Sequence, residues 1–233
     1  MPTSTIYNLV PLVLRDRMAR VQKQLFNFRT LARGYNQWNT IRDGDCKDSK
    51  GEAIPWYTYP AVEYLSHLDL GQLSVFEYGS GNSTLWWSKR ARSVVSIEND
   101  PEWYERVTSK LKGCTGDVIY QLQTERQGYV QSLAREFDIT IIDGRYRMEC
   151  AERFLDVCNN GTMLIFDNSD WYPNTIESIR KSLGWAELDF HGFGPINMYT
   201  WTTSIFINPK MLQGIKYKKH LKSVAGLDTN AET

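Results

Sequence analysis

Cysteine and histidine are scarce in this chain, with four and three residues among 233. Cys46, Cys114, Cys150 and Cys158 form no C-x-x-C pair, which speaks against a zinc cluster and against a disulfide-stapled scaffold. Long apolar runs are also missing. The run from Leu9 to Leu14 is broken by Pro11 and followed by Arg15-Asp16-Arg17, too short and too soon charged for a signal segment or a membrane span. Excess charge of one sign is absent as well: 27 basic and 27 acidic residues give a formal net charge of zero. The global basic field of a nucleic-acid binder is therefore not there. The expectation is a cytoplasmic protein with reduced thiols, no membrane partner and no nucleic-acid partner. The oligomeric state cannot be read.

What is present is an apolar fraction of 42% with 23% charged residues, enough for one globular domain with additions at its ends. Residues 12–33 place Val13, Val21, Leu25, Phe28 and Leu31 at helical spacing among many basic residues, which predicts a surface or capping helix. Residues 34–54 are polar and carry Gly34, Gly44 and Gly51, which predicts a mobile loop. A short helix is expected from Ala61 to Leu68. The division expected is an N-terminal helical and loop cap over 1–58, an α/β domain over 59–209, and a basic, partly disordered tail over 210–233.

From Ser74 onward the pattern alternates. Strand-like runs lie at Ser74–Tyr78, Ser93–Glu98, Asp117–Leu122, Asp138–Asp143 and Thr162–Asp167. Helix-like runs lie between and after them, at Ser83–Arg90, Pro101–Lys110, Tyr129–Arg135, Tyr146–Cys158 and Asn174–Leu183. Short apolar strands bounded by Gly, Asp or Asn fit a sheet covered by helices on both faces. Ala186–His191 and Tyr199–Ile207 are separated only by Gly192–Met198, too short a gap for a helical crossover, so this last pair should be antiparallel. The fold class predicted is α/β, a doubly wound and mostly parallel seven-stranded sheet with a C-terminal antiparallel hairpin.

The first strand runs into Gly79-Ser80-Gly81, and a helix begins at once. Glycine there permits unusual φ and lets a ligand approach the backbone. Asn82, Ser83 and Thr84 are capping candidates at the start of that helix, whose N–H groups face the turn. Glu98 ends the second strand, 98 − 77 = 21 residues after Glu77, where a carboxylate can accept hydrogen bonds from ribose hydroxyls, with Asn99 beside it. A tight turn followed by a surface glutamate would use the same residues. The third glycine of a dinucleotide turn is missing, because Thr84 stands there. Glu77, two residues before the turn, would repel a pyrophosphate and suits a cation such as a sulfonium or ammonium.

Phe76–Thr84 resembles motif I of the class I S-adenosylmethionine-dependent methyltransferases, in which an acidic residue precedes a G-x-G turn. Val94–Val107 resembles the second-strand motif of that family, with Glu98 as the ribose-binding acid. The resemblance covers residues 60–208. It implies a Rossmann-like sheet with the seventh strand inserted between the fifth and sixth, S-adenosylmethionine as cofactor, and cofactor contacts from Glu77, Gly79, Gly81, Asn82, Ser83, Thr84, Glu98, Asn99 and Asp143. Gln121, Gln123 and Thr124 follow the third strand, where the family places adenine contacts. Motif I departs from the family in carrying Ser83-Thr84 instead of a third glycine.

Two further strands end at Asp143 and at Asp167-Asn168, on the edge that also carries Gly79. These oxygen ligands suit Mg²⁺, and Asp residues at strand ends also cap helices. The set resembles the metal-assisted O-methyltransferase branch, in which Asp143, Asp167 and Asn168 would hold a divalent metal that activates a hydroxyl. The catechol-type lysine three residues after the strand-four Asp is replaced by Tyr146, flanked by Arg145 and Arg147. Asp143, Asp167 and His191 are the catalytic candidates, the last as a general base. Trp56, Tyr57, Tyr59, Trp171 and Tyr172 could wall a substrate pocket, while Trp86, Trp87 and Trp201 read as core. The function expected is O-methylation of a small-molecule hydroxyl, on a sugar or secondary metabolite. The rivals are an NAD(P)-dependent oxidoreductase, which no Tyr-x-x-x-Lys pair supports, and a non-catalytic module that keeps the cofactor pocket.

Overall fold

A computed structural model describes residues 12–210, 216–217 and 222–226. The start of the Leu9–Leu14 run and most of the tail expected to fray lie outside the described residues.

Seven strands form the main sheet: β1 Ser74–Tyr78, β2 Ser93–Glu98, β3 Val118–Leu122, β4 Ile139–Ile142, β5 Met163–Asp167, β6 Ala186–Gly192 and β7 Trp201–Ile207. Their order is β3-β2-β1-β4-β5-β7-β6. The pairs β1–β2, β2–β3, β1–β4 and β4–β5 are parallel. Strand β7 runs antiparallel between β5 and β6. This is the doubly wound, mostly parallel sheet expected, with the seventh strand inserted between the fifth and sixth as in the class I methyltransferase fold.

Strands β1, β4, β5 and β7 are buried along their whole length, in keeping with the nearly continuous apolar sequence of β4 and β5, while β1 and β7 also bury Ser74, Glu77, Thr202, Thr203 and Ser204. Alternate side chains go to opposite faces. Val75, Ile139, Ile141, Ile165 and Ile205 pack on one face with Tyr57, Leu65, Trp86 and Trp87. Phe76, Tyr78, Ile142, Leu164 and Phe166 pack on the other with Tyr129, Phe154, Ile176 and Ile179. Among the described residues eight α-helices lie outside the sheet: α1 Leu12–Arg29, α2 Gln37–Asp43, α3 Tyr59–Ser66, α4 Asn82–Ser88, α5 Pro101–Leu111, α6 Arg126–Gln131, α7 Arg147–Val157 and α8 Pro173–Leu183.

Helix α1 is a surface element, in line with the helix expected over 12–33, with Val21, Leu25 and Phe28 exposed. The structure departs from the sequence reading elsewhere. The segment expected to be a mobile loop contains α2 and an antiparallel bridge between Lys47 and Ala53. Its order comes from distant polar partners: Gln37 Nε2 donates to the carbonyls of Gly194 at 3.0 Å and Asn197 at 3.1 Å, and Thr40 Oγ1 accepts from the Ile196 N–H at 2.9 Å. Local composition cannot show bonds across more than 150 residues. Helix α6 starts at Arg126, three residues before the expected Tyr129, and ends at Gln131. Helix α3 ends at Ser66, and Leu68–Asp69 pairs instead with Lys216–Tyr217 as a small antiparallel ladder.

Candidate functional site

Strand β1 has its successor β2 on one side and β4 on the other, so the chain reverses direction across the sheet at this point. A crevice opens there in sheets of this kind. Here a cavity of about 560 Å³ lies at that edge. Its wall includes the Gly79–Ser83 turn, Glu98–Asp100, Asp143–Arg145, Arg147, Asp167-Asn168 and, from outside the sheet, Asp45, Cys46, Trp56, Trp171 and Tyr199.

The two glycines of the turn serve different ends. Gly79 has φ +88, and a Cβ there would stand 2.8 Å from Gly144 Cα. Only glycine fits, for both conformation and contact. Gly144 returns the constraint, since its Cβ would meet the Tyr129 hydroxyl at 2.0 Å and the Gly79 nitrogen at 2.8 Å. Gly81 is extended, with φ 162, and a Cβ would touch only Trp103 at an ordinary 3.7 Å. Nothing in the protein itself demands glycine at 81, so the room left there faces the cavity.

Glu77 is fully buried and is not part of the cavity wall. Its Oε2 accepts from Thr84 Oγ1 at 2.6 Å and Ser96 Oγ at 2.8 Å, and Thr84 Oγ1 in turn accepts from the Gly81 N–H at 3.2 Å. Glu77 and Thr84 therefore brace the turn from behind. The Oε1 atom of Glu77 has no partner among the described residues. Burial pushes this carboxyl up to about 7, against the pull of its hydroxyl donors.

Glu98 is a held carboxylate. Ser80 Oγ donates to Oε2 at 2.6 Å, and the N–H groups of Asn99 and Asp100 donate to Oε1 at 2.8 and 3.0 Å. Trp103 Nε1 donates to the Ser80 carbonyl at 2.8 Å, so the indole locks the turn to the first turn of α5. Asp100 Oδ1 caps that helix by accepting from the Trp103 N–H at 2.9 Å. Asn82 faces the cavity, yet its side chain is engaged away from it. Its Nδ2 donates to Asp45 Oδ1 at 2.8 Å and to the Cys46 carbonyl at 2.6 Å, and Lys110 Nζ donates to both Asp45 Oδ1 at 2.8 Å and Asn82 Oδ1 at 2.9 Å. This knot ties the loop after α2 onto the glycine turn.

Asp143, Asp167 and Asn168 converge, as the strand-end spacing predicts, but around a guanidinium. Arg147 Nε donates to the Gly144 carbonyl at 2.9 Å. One terminal nitrogen donates to the Asp143 carbonyl at 2.9 Å and Asp143 Oδ1 at 3.1 Å. The other donates to the Asp167 carbonyl and to Asn168 Oδ1, the latter at 3.1 Å. Asp167 Oδ1 accepts from Thr203 Oγ1 at 2.5 Å and Trp201 Nε1 at 3.0 Å. The side-chain oxygen of Asn168, and one oxygen of each Asp, are thus already taken. A divalent ion would also meet a fixed positive charge, a repulsion on the order of 4 kcal/mol per unit charge at 4 Å near a protein surface. The donor set does not fit Mg²⁺, and among the described residues no group of three or more His, Cys, Asp or Glu is placed to hold a metal. Burial raises the carboxyl pKa values of Asp143 and Asp167. The negative charge of Asp143 adds to the rise at Asp167, and Arg147 opposes it at both.

The other expected positions divide. Gly79, Gly81, Asn82, Ser83, Glu98, Asn99, Asp143, Asp167 and Asn168 all line the cavity. His191 does not: it is exposed, and its Nδ1 pairs with Thr202 Oγ1 at 2.7 Å. Gln121, Gln123 and Thr124 are likewise outside the wall. Trp56 and Trp171 line it, whereas Tyr57 and Tyr59 are buried in the core. Trp201 is buried as expected but also reaches the cavity through its bond to Asp167. Sequence reading missed Trp103, Tyr199, the Asp45–Lys110 pair and the role of Arg147. The i,i+4 spacing of Asp143 and Arg147 is the signal that could have found the last.

No protein-family profile matches the chain, and no curated protein matches it. Among solved structures, the chain is similar to an N-methyltransferase, NodS, from Bradyrhizobium japonicum in complex with S-adenosyl-L-homocysteine. Identity there is 14%, over 60% of this chain and 80% of that one, with a TM-score of 0.45. It is also similar to a methyltransferase from Pyrococcus furiosus, at 20% identity over 65% and 83% with a TM-score of 0.46. An rRNA methylase from Streptococcus thermophilus shows 13% identity over 64% and 96%, with a TM-score of 0.47. At such identities and TM-scores the likeness carries no statement about this chain's cofactor, activity or substrate.

Proposed function

We propose that this protein is an S-adenosylmethionine-dependent methyltransferase acting on a hydroxyl of a small molecule, a sugar or secondary metabolite. The observation that carries the reading is the pairing, across one cavity at the sheet's switch point, of a glycine left open at 81 with the held carboxylate of Glu98. The Gly79–Ser83 turn would hold the methionine end, and Glu98 would accept from the ribose hydroxyls, with Asn99 and Trp103 at its sides. Thr84 is committed to bracing Glu77 and so does not supply the open third position that a pyrophosphate turn uses. The cofactor would supply an electrophilic methyl group on a sulfonium.

On the acceptor side, Trp56 and the Trp171–Tyr199 ring pair are partly exposed and line the same cavity as Asp167. Asp167, with its carboxyl shifted upward by burial, is suited to take the proton of an acceptor hydroxyl as the oxygen attacks. Five acidic residues against three basic ones line the cavity, a balance that disfavours a phosphate-rich acceptor. The test is incubation with methyl-labelled S-adenosylmethionine and a panel of hydroxylated sugars and phenols. The label should appear as an ether. Label on nitrogen would contradict the choice of oxygen.

A further inference from the structure

The strand-end oxygens that gather a divalent ion in metal-assisted sites here face Arg147. We propose that Arg147 is a built-in cation occupying the place of a metal, so that this sheet edge is metal-free by construction. Its five N–H groups are all engaged, by the side-chain oxygens of Asp143 and Asn168 and the main-chain oxygens of Asp143, Gly144 and Asp167. The side chain is only 10% exposed, and its guanidinium carbon lies 5.3 Å from the Tyr172 ring centroid.

The backbone on both sides is shaped to make this possible. Tyr146 has φ +53 and Asn168 has φ +52, both in the left-handed region. The first sets Arg147 at the head of α7, pointing back across the ends of β4 and β5. The second brings the Asn168 oxygen onto the guanidinium. Left-handed backbone is costly for tyrosine, and here its result is the seating of a cation. A divalent ion would have to displace a group held by five hydrogen bonds. Arg147 thus acts as a positioning residue: it joins two strand ends and neutralises Asp143, leaving the second oxygens of Asp143 and Asp167 free of any ion. Arg147 holds this edge whichever cofactor the glycine turn takes.

The test is calorimetric titration of the full chain with Mn²⁺ alone. The wild-type protein should show no saturable binding through millimolar concentration. Arg147→Ala should gain one site, tighter by at least about tenfold, and the double variant Arg147→Ala/Asp143→Asn should lose it. Saturable binding in the wild type that Asp143→Asn abolishes would overturn the proposal, as would a folded Arg147→Ala chain that gains no site. If Arg147→Ala does not fold, the wild type and its Asp143→Asn variant decide the matter alone.

Discussion

Replacing the hydrogen of Gly79 with a methyl group and doing the same at Gly81 should have unlike consequences. Gly79→Ala meets backbone atoms at 2.8 Å and 2.9 Å and forces alanine to φ +88, so it should destabilise the fold by at least about 2 kcal/mol in chemical denaturation. Gly81→Ala should leave stability within about 0.5 kcal/mol and still abolish tight cofactor binding. Equal stability losses at the two positions would contradict the division of roles. Glu77 makes a pH prediction. Its carboxyl rises from 4.5 to about 7 on burial, so the folded chain keeps a proton over a range in which the unfolded chain has released it. Its contribution to stability is complete below 4.5 and is lost as pH climbs through about 7. Thermal melts across that window should show Glu77→Gln declining less steeply than the parent, and parallel curves would count against it. At this scale Gly79, Glu98 and the two strand-end Asp residues were legible, because each follows from where a strand stops. The bracing role of Glu77 was not legible, because it depends on Ser96 from the neighbouring strand. His191, offered as a general base, is an exposed, hydrogen-bonded histidine instead, the commoner place for a lone histidine, and its partner Thr202 lies across a hairpin.

Elements were legible where their sequence carries the reason for their form. Strands β1 and β2 match their expected bounds, since each is an apolar run closed by Gly or Asn. The segment from Gln37 to Ala53 was not, because its order comes from Gly194, Ile196 and Asn197 on the far side of the chain. The loop after α2 is held to the glycine turn by Asp45, Asn82 and Lys110. The ion pair itself is partly exposed and contributes at most about 1 kcal/mol. Asp45→Ala should therefore leave global stability nearly unchanged while speeding protease cleavage within residues 44–51, and S-adenosylhomocysteine should slow that cleavage in the wild type. Identical cleavage with and without the ligand would argue against contact between this loop and the bound cofactor.

For the whole molecule, the strand order and the antiparallel seventh strand decide where a ligand can sit. The alternation of strands and helices pointed to the parallel sheet and the short Gly192–Met198 gap to the antiparallel pair, while the place of the seventh strand came only as what the family resemblance implied. Among the described residues no helix is long and apolar enough to cross a membrane. The chain is neutral overall, yet its cavity wall carries more acid than base. That distribution could not be read from composition, because Asp45 and Lys110 reach the wall only through the fold. The metal expected at the sheet edge gives way to Arg147 for the same reason: sequence shows that an arginine is near, and only the left-handed turn at Tyr146 shows where it points. The measurement that bears most directly on the account is calorimetric titration of the wild-type chain and Glu98→Ala with S-adenosylhomocysteine and, separately, with NADH, each with and without Mg²⁺. S-adenosylhomocysteine should bind at one site per chain, indifferent to Mg²⁺, and weaken at least about tenfold in Glu98→Ala. NADH binding in place of S-adenosylhomocysteine would contradict the account and make the same glycine turn a dinucleotide site.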